Sequence, residues 1–270
     1  MKYYLFGILQ LISFSSFSQF KNENIIFKVN YHYSGTPDTN NISFKSNYYY
    51  DLDVNMEKSF FYDPNRLIGD SLLSIDKGNQ DDYSKLANLS KYNSTAATFI
   101  AQNEYNINYV KVWDNVGKGF FYIEKKPIQK WVTTNDSTYI NNLMCYKATT
   151  HFRGRDFTAW YTLKYPYPVG PWKFNGLPGL IIKIEDSKKQ FLFEATNIVN
   201  LNESELKMKH TYQLEYQETT YKDIIKYKRW RAEDPQGFLN FLLSGNVSVS
   251  TVNGQANVKK RPYNPLEIDD

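Results

Sequence analysis

A chain of 270 residues that sets 32 lysines and arginines against 28 aspartates and glutamates carries a formal charge of +4, which excludes the strongly basic balance of a nucleic-acid-binding protein. Its one cysteine, Cys145, excludes an intramolecular disulfide, so the fold rests on its core alone. Aromatic residues make up 17% of the sequence, with 23 tyrosines and 18 phenylalanines, and that enrichment suits half-buried pleated surfaces.

Residues 1–18 have the layout of a secretory signal: Lys2 as a basic start, an apolar run from Tyr3 to Ile12, then a polar region of small residues. Ser16 and Ser18 are the small residues that a signal peptidase accepts ahead of a cut before Gln19. The apolar run is far shorter than the roughly 20 residues that span a bilayer, and no cysteine follows the cut to receive a lipid. The expectation is a periplasmic or secreted protein with no lipid anchor and no transmembrane span in the mature chain. It comprises one β-rich domain over 19–245, C-terminal helices included, and a tail over 246–270 that is extended or partly disordered.

Residues 24–33 alternate, with Ile25, Phe27, Val29, Tyr31 and Tyr33 on one face and Ile26, Lys28, Asn30 and His32 on the other, which predicts an opening strand with one face buried. Residues 44–54 and 59–62 read as aromatic strands, although Tyr48-Tyr49-Tyr50 shows no clear alternation. Turn chemistry follows at 63–65 and 76–79, and the polar stretch 81–103 has room for a short helix near 83–89. Further strands are predicted at 106–113, 120–125, 131–134, 145–152, 157–163, 180–186 and 190–199, with hairpins at Gly117-Lys118-Gly119 and across 186–189. Short strands about ten residues apart describe an antiparallel meander.

The period changes at Tyr221. Thr220 stands as an N-cap with Asp223 three residues on, predicting a helix to about Arg231. Asp234 caps a second helix that opens on Pro235, carries an apolar stripe of Phe238, Leu239, Phe241 and Leu242, and stops at Gly245. The basic residues Lys222, Lys226, Lys228, Arg229 and Arg231 form a solvated face or a contact with anionic lipid or glycan.

The densest feature is residues 160–186. Leu177-Pro178-Gly179-Leu180 predicts a type II turn with Gly179 at positive φ, and Gly170-Pro171 a second rigid corner. Trp160, Tyr161, Trp172 and Phe174 are candidate ligand contacts, and Arg153 and Arg155 a candidate anion site. The plainer alternatives are a rigid loop packed on the core and a hairpin tip with solvated charges. No catalytic constellation, metal site or cofactor motif is recognised. His32, His151 and His210 are isolated; Cys145 and His151 share strand parity but would lie about 20 Å apart, so a buried inert thiol is expected.

The string Gly176-Leu177-Pro178-Gly179-Leu180-Ile181, with Cys145-Tyr146-Lys147-Ala148, Phe152-Arg153-Gly154-Arg155, Ala159-Trp160-Tyr161, Gly170-Pro171-Trp172-Lys173-Phe174 and Tyr263-Asn264-Pro265-Leu266, resembles the GLPGLI family of exported Bacteroidetes-type proteins. The segment Tyr165-Pro166-Tyr167-Pro168 departs from that pattern by a second proline. The resemblance implies export but assigns no catalytic residue. A more distant resemblance to outer-membrane lipoprotein carriers implies a mainly β (α+β) fold, a curved, half-barrel-like antiparallel sheet with C-terminal helices packed on one face. The function expected is a non-enzymatic binding or carrier protein of the bacterial envelope for an apolar ligand or peptide, without a cofactor. The alternatives are a structural or assembly partner of an outer-membrane complex that docks through 165–174, and a hydrolase or peptidase using carboxylates such as Asp81, Asp82 or Asp156.

Overall fold

The computed structural model describes residues 24–66, 68, 100–116, 119–201, 216–243 and 262–268. The expected leader, the turn at 76–79, the helix at 83–89, Asp81, Asp82, His210 and Gly245 lie outside the described residues. Twelve strands form one sheet: β1 (Phe27–Gly35), β2 (Ser46–Val54), β3 (Lys58–Tyr62), β4 (Ile100–Glu104), β5 (Tyr109–Asn115), β6 (Gly119–Lys125), β7 (Val132–Ile140), β8 (Leu143–Phe152), β9 (Arg155–Thr162), β10 (Leu180–Asp186), β11 (Phe191–Asn200) and β12 (Gln217–Glu218). Among the described residues two helices follow, α1 (Tyr221–Glu233) and α2 (Pro235–Leu243). The fold is mainly β, as the sequence implies, and no helix among the described residues is long and apolar enough to cross a membrane.

The strand order β12-β6-β5-β4-β3-β2-β1-β11-β10-β9-β8-β7 is two meanders joined edge to edge where β1 meets β11. All pairings are antiparallel except the short one between β12 and β6. Curvature follows from the connection between the meanders. The strands β6 and β7 stand ten intervals apart in the order, roughly 48 Å across a flat sheet. The chain from Lys125 to Val132 can span only roughly 25 Å. The sheet therefore curls, and residues 126–131 run across its hollow. Trp131 Nε1 donates to Asn175 O at 2.8 Å on the way.

Alternation of the opening strand is kept in full: Phe27, Val29, Tyr31, Tyr33 and Gly35 are buried and the residues between them half-buried. The tyrosine run resolves too, since Tyr48 and Tyr50 pair opposite Tyr33 and Tyr31 while Tyr49 faces solvent. Aromatic pairs then fill the concave face, among them Tyr50 with Phe61 at 4.9 Å and Tyr33 with Phe193 at 4.8 Å between ring centroids. Two-residue hairpins at Asn141-Asn142 and Arg153-Gly154 have positive φ at both positions, the primed-turn geometry that matches strand twist.

One expectation is corrected. Gly179 does not adopt positive φ; the glycine that does is Gly176, at φ 91°. A side chain on Gly179 would instead collide with the main-chain carbonyl oxygen of Thr162, so a close approach of two backbones selects the glycine. On β8 Cys145 is buried and His151 exposed. The thiol is pushed up to about 11 by burial, in keeping with an inert role.

Candidate functional site

The site begins with the helix cap. Thr220 Oγ1 accepts the N–H of Asp223 at 3.2 Å, as the sequence predicts, and the helix so launched lays Ile224 and Ile225 against the sheet. Phe120 stacks on Tyr227 at 5.5 Å and Tyr122 meets Tyr221 at 5.8 Å, which fixes α1 over the β6 end of the concave face. Asp234 caps α2 in its turn, its Oδ1 accepting the N–H of Gly237 at 3.0 Å, and Phe238 packs edge-on against Trp230.

Residues 262–268, within the expected tail over 246–270, form a strap that lines the same pocket as α1. It docks against the domain: Leu266 and Glu267 are buried, residues 262–265 are half-buried and Ile268 is exposed. Arg155 clamps it. All five guanidinium N–H groups are engaged, with Asp186 and Gln190 on one side and Asn264 Oδ1 and the carbonyl of Pro265 on the other. The residue is buried rather than solvated at a hairpin tip, and it keeps no donor for a ligand.

A second anchor is ionic. Lys173, fully buried, places Nζ 2.5 Å from Glu124 Oε1 and 2.9 Å from Glu267 Oε1, over the rings of Trp172 and Tyr221. Arg153 Nη2 holds Glu124 Oε2 at 2.8 Å, and Trp172 Nε1 donates to Glu267 Oε1 at 2.8 Å. Burial alone would raise the Glu267 carboxyl. The charges of Lys173 and Arg153 and the Trp172 N–H outweigh it and hold the group below its ordinary value. Two cations and two carboxylates thus neutralise one another, with Lys173 and Glu267 out of water and Arg153 partly exposed. Trp172 sits at φ 55°, a left-handed conformation uncommon for a bulky residue, in the loop that presents both it and Lys173 to Glu267.

Sheet, helix and strap line an open-mouthed cavity of about 880 Å³. Tyr33, Gly35 and Tyr48 form its floor, Phe191 and Trp172 one wall, and Ile224 and Ile225 the roof. The strap contributes Tyr263, Leu266 and Glu267. Burial raises the Tyr33 hydroxyl far above its ordinary value, with the Tyr48 hydroxyl the next cause. Such a site suits a small apolar or aromatic molecule.

Of the residues predicted to contact a ligand, Trp172 alone lines this cavity. Phe174 packs between Phe152 and Phe157 in the core; Tyr161 is buried against Tyr146, and Trp160 is half-buried on β9. The loop at 165–174 turns its aromatics inward, Tyr165 and Tyr167 against Phe27, Trp172 and Phe174 into the core. Asp156 is exposed beside His151 Nδ1 at 2.7 Å. Among the described residues no cluster of three or more metal-binding side chains occurs. Sequence reasoning missed Tyr33, Tyr48 and Glu267. The burial of Tyr33 was legible, whereas nothing local marks the strap beyond the string Tyr263 to Leu266.

The architecture defines a class: a single open, curved antiparallel sheet whose hollow is roofed by a C-terminal helix. A family model described as a protein of unknown function (Porph_ging) matches residues 152–183, from the end of β8 to within β10, which is consistent with a Bacteroidetes-type family. Among solved structures the chain is similar to PNGF-II in its C2 and P21 crystal forms, at 12% identity and TM-scores of 0.52 and 0.51. The alignments cover 74% of this chain and 32% of PNGF-II, so the chain spans about a third of that protein's length, and the likeness shows the fold alone. No curated protein matches.

Proposed function

We propose that this chain is an exported, non-enzymatic binding or carrier protein of the bacterial envelope, and that it holds a small apolar or aromatic ligand beneath α1. The cavity carries the reading: its volume of about 880 Å³ falls within the range of small-molecule sites, and its walls are mainly aromatic and aliphatic. The pattern of residues 1–18 supports release into the periplasm or beyond, unlipidated, with Gln19 as the first residue of the mature chain. The GLPGLI string lies inside the stretch that the family model matches, which supports placing the chain in that exported group.

Native mass spectrometry of protein purified from a bacterial periplasm is expected to show a co-purifying small molecule. Ala232→Trp, which puts an indole into the cavity from the α1 side, should displace it without unfolding the domain. Wild-type protein that retains nothing, even after incubation with an envelope lipid and metabolite extract, would refute the carrier reading. N-terminal sequencing of the same material should begin at Gln19; an intact Met1 would refute export by cleavage.

A further inference from the structure

Resting on the reading of the cavity as a ligand site, we infer that the ligand is amphipathic, with an anionic head held by Arg231, Tyr33 and Tyr48 and an apolar body that fills the rest of the space. The charges around the wall lead to this. Glu267 is the one carboxylate among the lining residues, and it is already engaged by Lys173 and by the Trp172 N–H. Lys228 is matched by Asp114 at 2.5 Å. Arg231, three residues further along the same face of α1, lines the cavity and has no charged or hydrogen-bonding side-chain partner among the described residues. Among the described residues, one cation is therefore left at the rim with no counter-charge.

The floor adds two donors. Tyr33 is 6% exposed, and its hydroxyl has no hydrogen-bond partner among the described residues. That hydroxyl lies over Gly35, where any side chain would overlap it, and both residues line the cavity. At the cavity wall it is free to donate to a molecule inside. Tyr48 stacks on Tyr33 at 6.0 Å with 12° between the ring planes, and its hydroxyl is likewise without a partner among the described residues. A guanidinium and two hydroxyls supply the donors that a carboxylate or phosphate monoester accepts, and among the described lining residues no unpaired carboxylate competes for them. Phe191, Ile225 and Leu266 face the remaining volume and suit an apolar tail.

The test is calorimetric titration of the full mature protein with dodecanoate, dodecyl phosphate and dodecanol, which share a chain and differ in the head. Dodecanoate or dodecyl phosphate should bind about tenfold or more tightly than dodecanol, and the better of the two identifies the head. Arg231→Gln, at an exposed position, should remove most of that preference and leave dodecanol unchanged. Tyr33→Phe, which keeps the ring packing, should weaken the anion about fivefold. Equal affinity for dodecanol and the two anions, or a preference that survives Arg231→Gln, overturns the anionic head while leaving the cavity as a site for apolar ligands. Failure of all three probes to bind, together with an empty cavity in native mass spectrometry, overturns both.

Discussion

Glu267→Ala is expected to destabilise the protein by about 3–5 kcal/mol, because it leaves Lys173 buried with only Glu124 to balance both it and Arg153. In thermal denaturation that is a fall in Tm on the order of 10 °C for a domain of this size. Solvent has little part in screening the pair, since both side chains are buried. The pH dependence has a definite sign. The folded carboxyl lies below its ordinary value of 4.5, so its contribution is fully present above that value and is lost as the pH falls through the folded pKa. The stability gap between wild type and Glu267→Gln should therefore hold steady from about pH 5 to 8 and close in more acid solution. A gap that persists undiminished at pH 3 would show that Glu267 acts by shape and not by charge.

Gly179→Ala should cost roughly 3 kcal/mol in urea denaturation, since the new methyl meets the carbonyl of Thr162, a backbone group held in the β9–β10 ladder. Gly176→Ala offers the contrast. Its Cβ would find only ordinary contact with Trp131, and the cost is that of a side chain at φ 91°, about 1 kcal/mol. The reverse ranking would mean that the turn, rather than the approach of strand to loop, is what the Leu-Pro-Gly-Leu string protects.

Much of the architecture is legible because β structure writes itself in a period of two. The buried face of β1 can be taken directly from Phe27, Val29, Tyr31 and Tyr33, and both helix starts from Thr220 and Asp234. Elements without such a period escape: β4 is short and polar, and β12 is two residues that pair with β6 only because α1 follows. The buried run Leu180-Ile181-Ile182 has a different cause, an extra residue between the pairings of Ile181 and Lys183 that breaks alternation. The site is the least legible part. Tyr33, Trp172, Ile225 and Glu267 are brought to one cavity by a sheet that curls, by a six-residue crossing and by a strap near the C-terminus. None of these leaves a local mark. Arg155 shows the limit from the other side: flanked by Gly154 and Asp156 it reads as solvated, and only the arrival of Asn264 and Pro265 buries it.

The seam between the two meanders has a kinetic meaning. Its ladder pairs Phe27 with Asn200, so the middle of the sheet is zipped by segments from opposite ends of the domain. Contacts of such sequence separation close large loops before they return any free energy, which makes folding slow and leaves little for an incomplete chain to settle into. A ribosome-bound or half-translocated polypeptide lacking β11 can form hairpins but has no partner for the inner edge of β1. In the export reading this is an asset: the chain stays threadable until β11, which ends at Asn200 of 270 residues, has crossed, and topology does the work of a holdase.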